Sequence, residues 1–240
     1  MAENRWKILD EMSRPELKEL HEHGYKFENP WEIIDIFEKK VAEHAGSKYA
    51  VAVDCCSHAL FLCLMLRKEQ WEMVIGTLEK GKVVEIPKHT WFSVPMQIEL
   101  ARLIPLFRDV EWECGYWLEP WKIWDGAVRW QKGMYMGELH CLSFQIKKNI
   151  PIGKGGMILT DSKEEQEILK LMRYDGRDMN THYMDPGHIK RKGWHMYMTP
   201  EDAARGIMLM DAAEDNLPDS ATYRDYQDLS KFWTGRGCLL

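Results

Sequence analysis

The sequence predicts an α/β fold in three layers, α/β/α, with helices on both faces of a mainly parallel mixed sheet. Three observations predict it. Short β-rich apolar runs alternate with longer segments of helical spacing. No internal repeat or low-complexity tract interrupts that alternation. A chain of 240 residues, 45% apolar, can bury one full core and leaves no room for a second substantial domain.

The elements follow in order. Residues 30–45 place Trp31, Ile34, Phe37 and Val41 on one helix face, and Gly46 ends that helix. Residues 48–54 (KYAVAVD) read as a strand, Cys55-Cys56-Ser57-His58 as a polar turn, and 59–66 as a helix. Further strands are expected at 83–87, 104–110, 121–124, 141–145 and 157–160, and helices at 94–101 and 163–174. Segment 115–138 is rich in tryptophan and punctuated by glycine. After Tyr174 a His-, Gly-, Asp- and Lys-rich stretch to residue 198 reads as a long loop. Thr199-Pro200-Glu201-Asp202 then opens a helix, with threonine as N-cap and proline at the first position, running to about residue 214. The polar segment 216–240 is either a short docked helix or partly frayed.

Composition removes whole classes of function. A net charge of -6 offers no basic field for nucleic acid. The longest apolar runs, such as 59–66, fall far short of the roughly 20 residues that span a bilayer, and the N-terminus is too charged for a signal peptide, so a cytoplasmic protein is expected. The six cysteines lack paired zinc-site spacing, so reduced thiols and no metal are expected. The abundant tryptophans and methionines fill irregular cores as readily as they build sites.

The chemistry is concentrated in Ser143-Phe-Gln-Ile-Lys147-Lys148-Asn-Ile-Pro-Ile-Gly153-Lys-Gly155-Gly156, where an apolar strand delivers two lysines into a loop ahead of a glycine pair. This segment resembles the lysine region of the DegT-type sugar aminotransferases, Ser-Phe-His-Pro-Thr-Lys-Asn followed by Gly-Glu-Gly-Gly. Upstream, FEKKVAEHAGSKYAVAV and then HAL resemble that family's helix, strand and phosphate turn, and VVEIPKHTWFSV its second strand and ring-stacking segment. The motifs stand in the family's order over roughly the first 210 residues.

The resemblance implies the large domain of a pyridoxal 5'-phosphate (PLP) enzyme over residues 1–214, with 215–240 as a residual tail in place of the family's full small domain. By the family spacing, five residues from the serine, Lys148 rather than Lys147 is the lysine that forms a Schiff base with the cofactor aldehyde and then shuttles a proton. A solvated lysine pair in a loop is the plain alternative. Asp125 matches the aspartate that keeps the pyridine nitrogen protonated, and Trp91 the aromatic residue stacked on the ring. Taken alone, Asp125 also reads as a turn or cap residue and Trp91 as ordinary core packing.

Ser57, the amide of His58 and Ser143 match the phosphate donors, although an N-capping role explains Ser57 equally well. His195, in Gly193-Trp194-His195, resembles the asparagine that reaches the phosphate of the partner subunit's cofactor. The implied protein is a homodimer that transfers an amino group from glutamate or glutamine to a nucleotide-linked keto-sugar. Two positions depart from the family: Cys56 replaces a glycine, and Val128 replaces a hydrogen-bonding residue near the ring. The competing readings are a PLP-binding relative that is silent or needs a partner chain, and a non-enzymatic module that binds no cofactor. The family's dehydratases replace the lysine that Lys148 supplies.

Overall fold

A computed structural model describes residues 14–75, 82–179, 181, 182, 184, 185, 187–234, 237 and 238. Its elements in chain order are α1 (Pro15–Glu22), α2 (Glu32–Ala45), β1 (Tyr49–Val53), α3 (Cys56–Ile75), β2 (Val83–Pro87), α4 (Ser93–Leu100), β3 (Ile104–Arg108), β4 (Tyr116–Leu118), β5 (Ile123–Asp125), β6 (Trp130–Gln131), β7 (Leu139–Ser143), β8 (Gly156–Thr160), α5 (Lys163–Met172), α6 (Pro200–Ala212) and β9 (Asn216–Leu217).

Alternation along the strands creates the layers. Val51 and Val53 of β1, Cys141 of β7 and Ile158 of β8 face α3, α4 and α5. Their neighbours Ala50, Ala52, Leu142, Met157 and Leu159 face α1, α2 and α6. Leu62 and Leu64 in one core and Ile33 and Phe37 in the other are fully buried; each such side chain contributes about 1.5–3 kcal/mol. The sheet is therefore apolar on both faces, as a middle layer must be.

The α/β class and the mixed sheet are as expected, but the strand directions are not. The five-stranded order is β1-β8-β7-β5-β4. Only β5–β7 pairs parallel, while β1–β8, β7–β8 and β4–β5 pair antiparallel. The parallel pair β2–β3 extends the sheet through an antiparallel bridge between Glu85 and Glu119. The expectation of a mainly parallel sheet is corrected: β8 runs antiparallel to both its neighbours, and the β4–β5 pair is a tight reversal. Its backbone turns through Lys122 at φ 51 and a cis Glu119–Pro120 bond, a turn without a glycine signal.

Local rules place the helices as the sequence suggests. Gly46 closes α2 in the left-handed conformation at φ 83, with its N–H on Ala42 O at 2.9 Å. Thr199 Oγ1 accepts from Asp202 N at 3.2 Å to cap α6, with Pro200 at the first turn. The helix expected at 59–66 is much longer, because α3 continues past the buried residues into a half-exposed stretch. A buried ion pair of Arg173 with Glu38 ties α5 to α2. Arg173 also donates to Ala52 O at 2.6 Å, and Ala52 N donates to Glu38 Oε1 at 2.8 Å.

After α6 the described chain is neither a helix nor frayed. Residues 216–231 run back over the body through β9, paired antiparallel with β6, and two short 3-10 turns. Ala221, Tyr223 and Tyr226 pack against the core that holds α3 and α4, and Leu229 is buried. No helix of the described residues is long and apolar enough to cross a membrane.

Candidate active site

Strand ends and one helix start meet at a cleft of about 370 Å³. β5 delivers Asp125, the end of β7 delivers Ser143, the loop after it brings Gln145, Lys147 and Lys148, and the start of α3 brings Cys55, Cys56 and Ser57. Trp91 comes from the segment before α4. The cleft thus joins Ser57, Trp91, Asp125, Ser143 and Lys148. These five residues are spread over 92 positions of sequence, counting 57 through 148.

Asp125 sits at the floor and is buried. Its Oδ2 accepts the Tyr116 hydroxyl at 2.8 Å from the antiparallel neighbour β4, and its Oδ1 accepts Ala127 N at 3.1 Å. The Tyr116 hydroxyl also makes a short hydrogen bond with Thr90 Oγ1. Burial pushes the Asp125 carboxyl above its ordinary range, opposed by Tyr116, the Ala127 amide and the charge of Lys148. Among the described residues no cation forms an ion pair with it. A protonated ring nitrogen is the kind of group that would supply the missing charge.

The two lysines are distinguished by their surroundings. Lys147 is exposed and Lys148 half-buried. Gln145 sets the loop: its carbonyl accepts Lys148 N at 2.8 Å and its side-chain oxygen accepts Lys147 N at 2.9 Å.

The start of α3 is built against β8. A Cβ on Gly156 would meet the Cys55 carbonyl carbon and the Cys56 nitrogen at 2.5 Å each, so only glycine lets strand and turn approach this closely. The first-turn amides of α3, His58 among them, have no partner further back in the helix. Ser57 Oγ shares a 2.7 Å hydrogen bond with Ser93 Oγ, a hydroxyl the sequence reading passed over. Burial, then Asp125, pushes the Cys56 thiol well up, so it is neutral.

The His58 side chain points elsewhere. Its Nδ1 lies 2.6 Å from Asp54 Oδ1, and Lys154 Nζ lies 3.0 Å from Asp54 Oδ2. Asp54 and then Cys55 raise the imidazole to about 10. Asp54, Cys55 and His58 together have metal-ligand spacing, although both carboxylate oxygens are already engaged by cations.

His195 does not join the cleft. It is exposed, with Nδ1 3.0 Å from Asp175 Oδ2. Val128 is buried at the cleft wall, and its side chain offers no hydrogen bond. The sequence reading missed Tyr116, Thr90, Trp112 and Ser93, which support or line the site, and Ser220, Ala221, Asp225 and Tyr226 of the last segment. Only folding brings these onto the cleft; no local pattern marks them.

The profile of the DegT/DnrJ/EryC1/StrS aminotransferase family matches residues 8–123 and 127–224. The chain belongs to the DegT/DnrJ/EryC1/StrS aminotransferase family. Aminotransferases of this family use PLP. The DegT-family chain is 24% identical over 250 residues to the spore coat polysaccharide biosynthesis protein SpsC of Bacillus subtilis, covering 83% of this chain and 61% of SpsC. It is 27% identical over 221 residues to protein MJ1066 of Methanocaldococcus jannaschii, covering 74% of this chain and 56% of that protein. It therefore spans under two thirds of both relatives. Among solved structures, AtS13 of Actinomadura melliaura superposes with a TM-score of 0.65 at 19% identity, over 82% of this chain and 64% of AtS13; this likeness shows the fold.

Proposed function

We propose that this DegT-family chain is a PLP-dependent aminotransferase acting on a nucleotide-linked keto-sugar, with glutamate or glutamine as amino donor. The observation that carries the reading is that Lys148 lines one cleft with the buried carboxyl of Asp125, with which no cation forms an ion pair among the described residues. An amine, a buried acid, an aromatic face and a hydroxyl-lined helix start are the donor set that a phosphorylated pyridine aldehyde requires.

Asp125 would hold a proton at the ring nitrogen, its two oxygens oriented by Tyr116 and Ala127. Trp91 offers a ring face. Ser57, Ser143 and the His58 amide would bind the cofactor's phosphate. Lys148 would supply the amine that holds the cofactor, and its Nζ would move a proton at the substrate carbon. When bound, PLP supplies the electron sink for breaking bonds at the substrate's amine-bearing carbon.

In this reading residues 1–214 are the cofactor-binding unit and 215–240 a tail. The protein is cytoplasmic and a homodimer, and the exposed His195 reaches the partner's cofactor. A second reading is a PLP-binding relative that is silent or needs a partner chain. Glutamate added to the PLP-loaded protein separates the two. Conversion of the visible band of the lysine-bound cofactor to that of the amine form, with release of 2-oxoglutarate, is the outcome for an aminotransferase. A band that stays unchanged with either donor is the outcome for a silent relative.

A further inference from the structure

The segment after α6 lends Ser220, Ala221, Asp225 and Tyr226 to the cleft lining and is fastened along its length. Arg129 holds Asp219 at 3.0 Å, and Ser220 N donates to Val128 O at 2.8 Å. Tyr223 N donates to Trp112 O at 3.3 Å, His89 Nδ1 lies 2.9 Å from Tyr226 O, and Leu229 N donates to Lys88 O at 2.9 Å. Every anchor but the first pair's side chains uses a backbone group, so the path is set by the body rather than by chance packing. The anchored residues Val128, His89 and Lys88 follow the strand ends that carry the site.

This path puts Tyr226 into the cleft wall. Its ring lies 5.6 Å from Trp112 and 6.3 Å from Trp91 between centroids, so three aromatic rings line one side. Burial first, then the charges of Asp125 and Asp225, raise the phenol to about 12. At neutral pH it is an uncharged donor beside the buried acid. Asp225, next to it, spends its Oδ2 on Thr222 N at 2.8 Å and so fixes the turn that presents Tyr226. Val128, whose backbone carbonyl is one of the anchors, offers no side-chain hydrogen bond to a ligand.

We propose that segment 219–228 is a wall of the cofactor site, and that Tyr226 is a contact residue giving the bound pyridine ring an aromatic surface and a hydroxyl. The inference rests on the reading of the cleft as a PLP site. It adds that the chain completes part of that site by itself, with a residue far in sequence from the other donors. It also couples binding to the segment: a ligand that touches Tyr226 holds 219–228 down.

The test is PLP titration followed by tryptophan fluorescence, with limited trypsin cleavage at Arg224 as an independent readout, on wild type, Tyr226→Phe, Tyr226→Ala and the exposed control Gln227→Ala. The expected results are PLP binding weakened about 2- to 10-fold in Tyr226→Phe and at least about tenfold in Tyr226→Ala. PLP slows cleavage at Arg224 in wild type and in Tyr226→Phe but not in Tyr226→Ala, and Gln227→Ala behaves as wild type. Tyr226→Phe keeps the ring and decides the matter if the alanine variant fails to fold. Wild-type-like PLP affinity in both tyrosine variants, or cleavage at Arg224 indifferent to PLP, overturns the inference and leaves the cofactor reading intact. Failure of wild type to bind PLP at all overturns the cofactor reading and this inference with it.

Discussion

Tyr116 and Asp125 stand opposite each other across the β4–β5 pair, and the Tyr116 hydroxyl donates to Asp125 Oδ2 at 2.8 Å. The reversal that makes this pair antiparallel is what brings the phenol over the acid. A buried carboxylate without a cation is costly, and this hydrogen bond offsets part of the cost until a ligand brings a positive charge.

Tyr116→Phe should therefore lower folding stability by about 1.5–3 kcal/mol, the value of a hydrogen bond to a charged group, in urea unfolding at neutral pH. It should also raise the Asp125 carboxyl further. The sign follows from linkage: a carboxyl raised in the folded state loses stability as pH rises above its unfolded value of about 3.8. The cofactor-free protein should show that loss, more steeply in the variant, and bound PLP should reduce it in both.

The Asp54–His58 pair gives a second pH signature, in a higher window. His58 is raised to about 10, and Asp54 is lowered by His58 and Lys154 against the burial that raises it. The contribution of the imidazolium is full below about pH 6.5 and fades as pH rises through about 10, while that of the carboxylate fades as pH falls below about 3.8. The melting-temperature difference between wild type and His58→Gln should be largest between about pH 4 and 6.5 and shrink toward pH 10. A difference that grows with pH contradicts the pairing.

Gly156→Ala places a methyl group 2.5 Å from backbone atoms of Cys55 and Cys56. Backbone at the start of a 20-residue helix cannot step aside as a flexible side chain can. The expected loss is about 1–3 kcal/mol or more in urea unfolding, together with weaker PLP binding because the phosphate-facing turn moves. Unchanged affinity would separate the turn from the cofactor.

Much of this was legible in the sequence because local rules govern it. The apolar runs at 48–54 and 83–87, the stripe of α2 and the Thr199-Pro200 start were legible, since each is written within a few residues of chain. Lys148, Asp125, Trp91, Ser57 and Ser143 could be proposed from their order along the chain, and the fold brings them to one cleft. Strand direction was not legible: alternation is the same for either direction, and the β4–β5 turn uses Lys122 where a glycine would have signalled it. Tyr116 and Tyr226 were missed because their roles depend on a cross-strand pair and on a returning segment. His195 was read as a site residue from the resemblance, but the bridge between Tyr174 and His195 and the bond to Asp175 hold it outside this chain's own cleft.

Arg173→Met tests the frame rather than the site. It leaves the buried Glu38 carboxylate without the guanidinium that pairs with it, although Ala52 N and Lys170 still reach it. Breaking a buried pair by removing one partner costs about 3–5 kcal/mol, and the remaining contacts place the expected loss at the lower end. Unfolding followed by circular dichroism checks it.

The most direct measurement is borohydride reduction of the PLP-loaded protein, followed by peptide mapping in a mass spectrometer. The account predicts a pyridoxyl adduct on Lys148, lost in Lys148→Ala and kept in Lys147→Ala. An adduct on Lys147 or Lys154, or label scattered over exposed lysines and unchanged in Lys148→Ala, would contradict it.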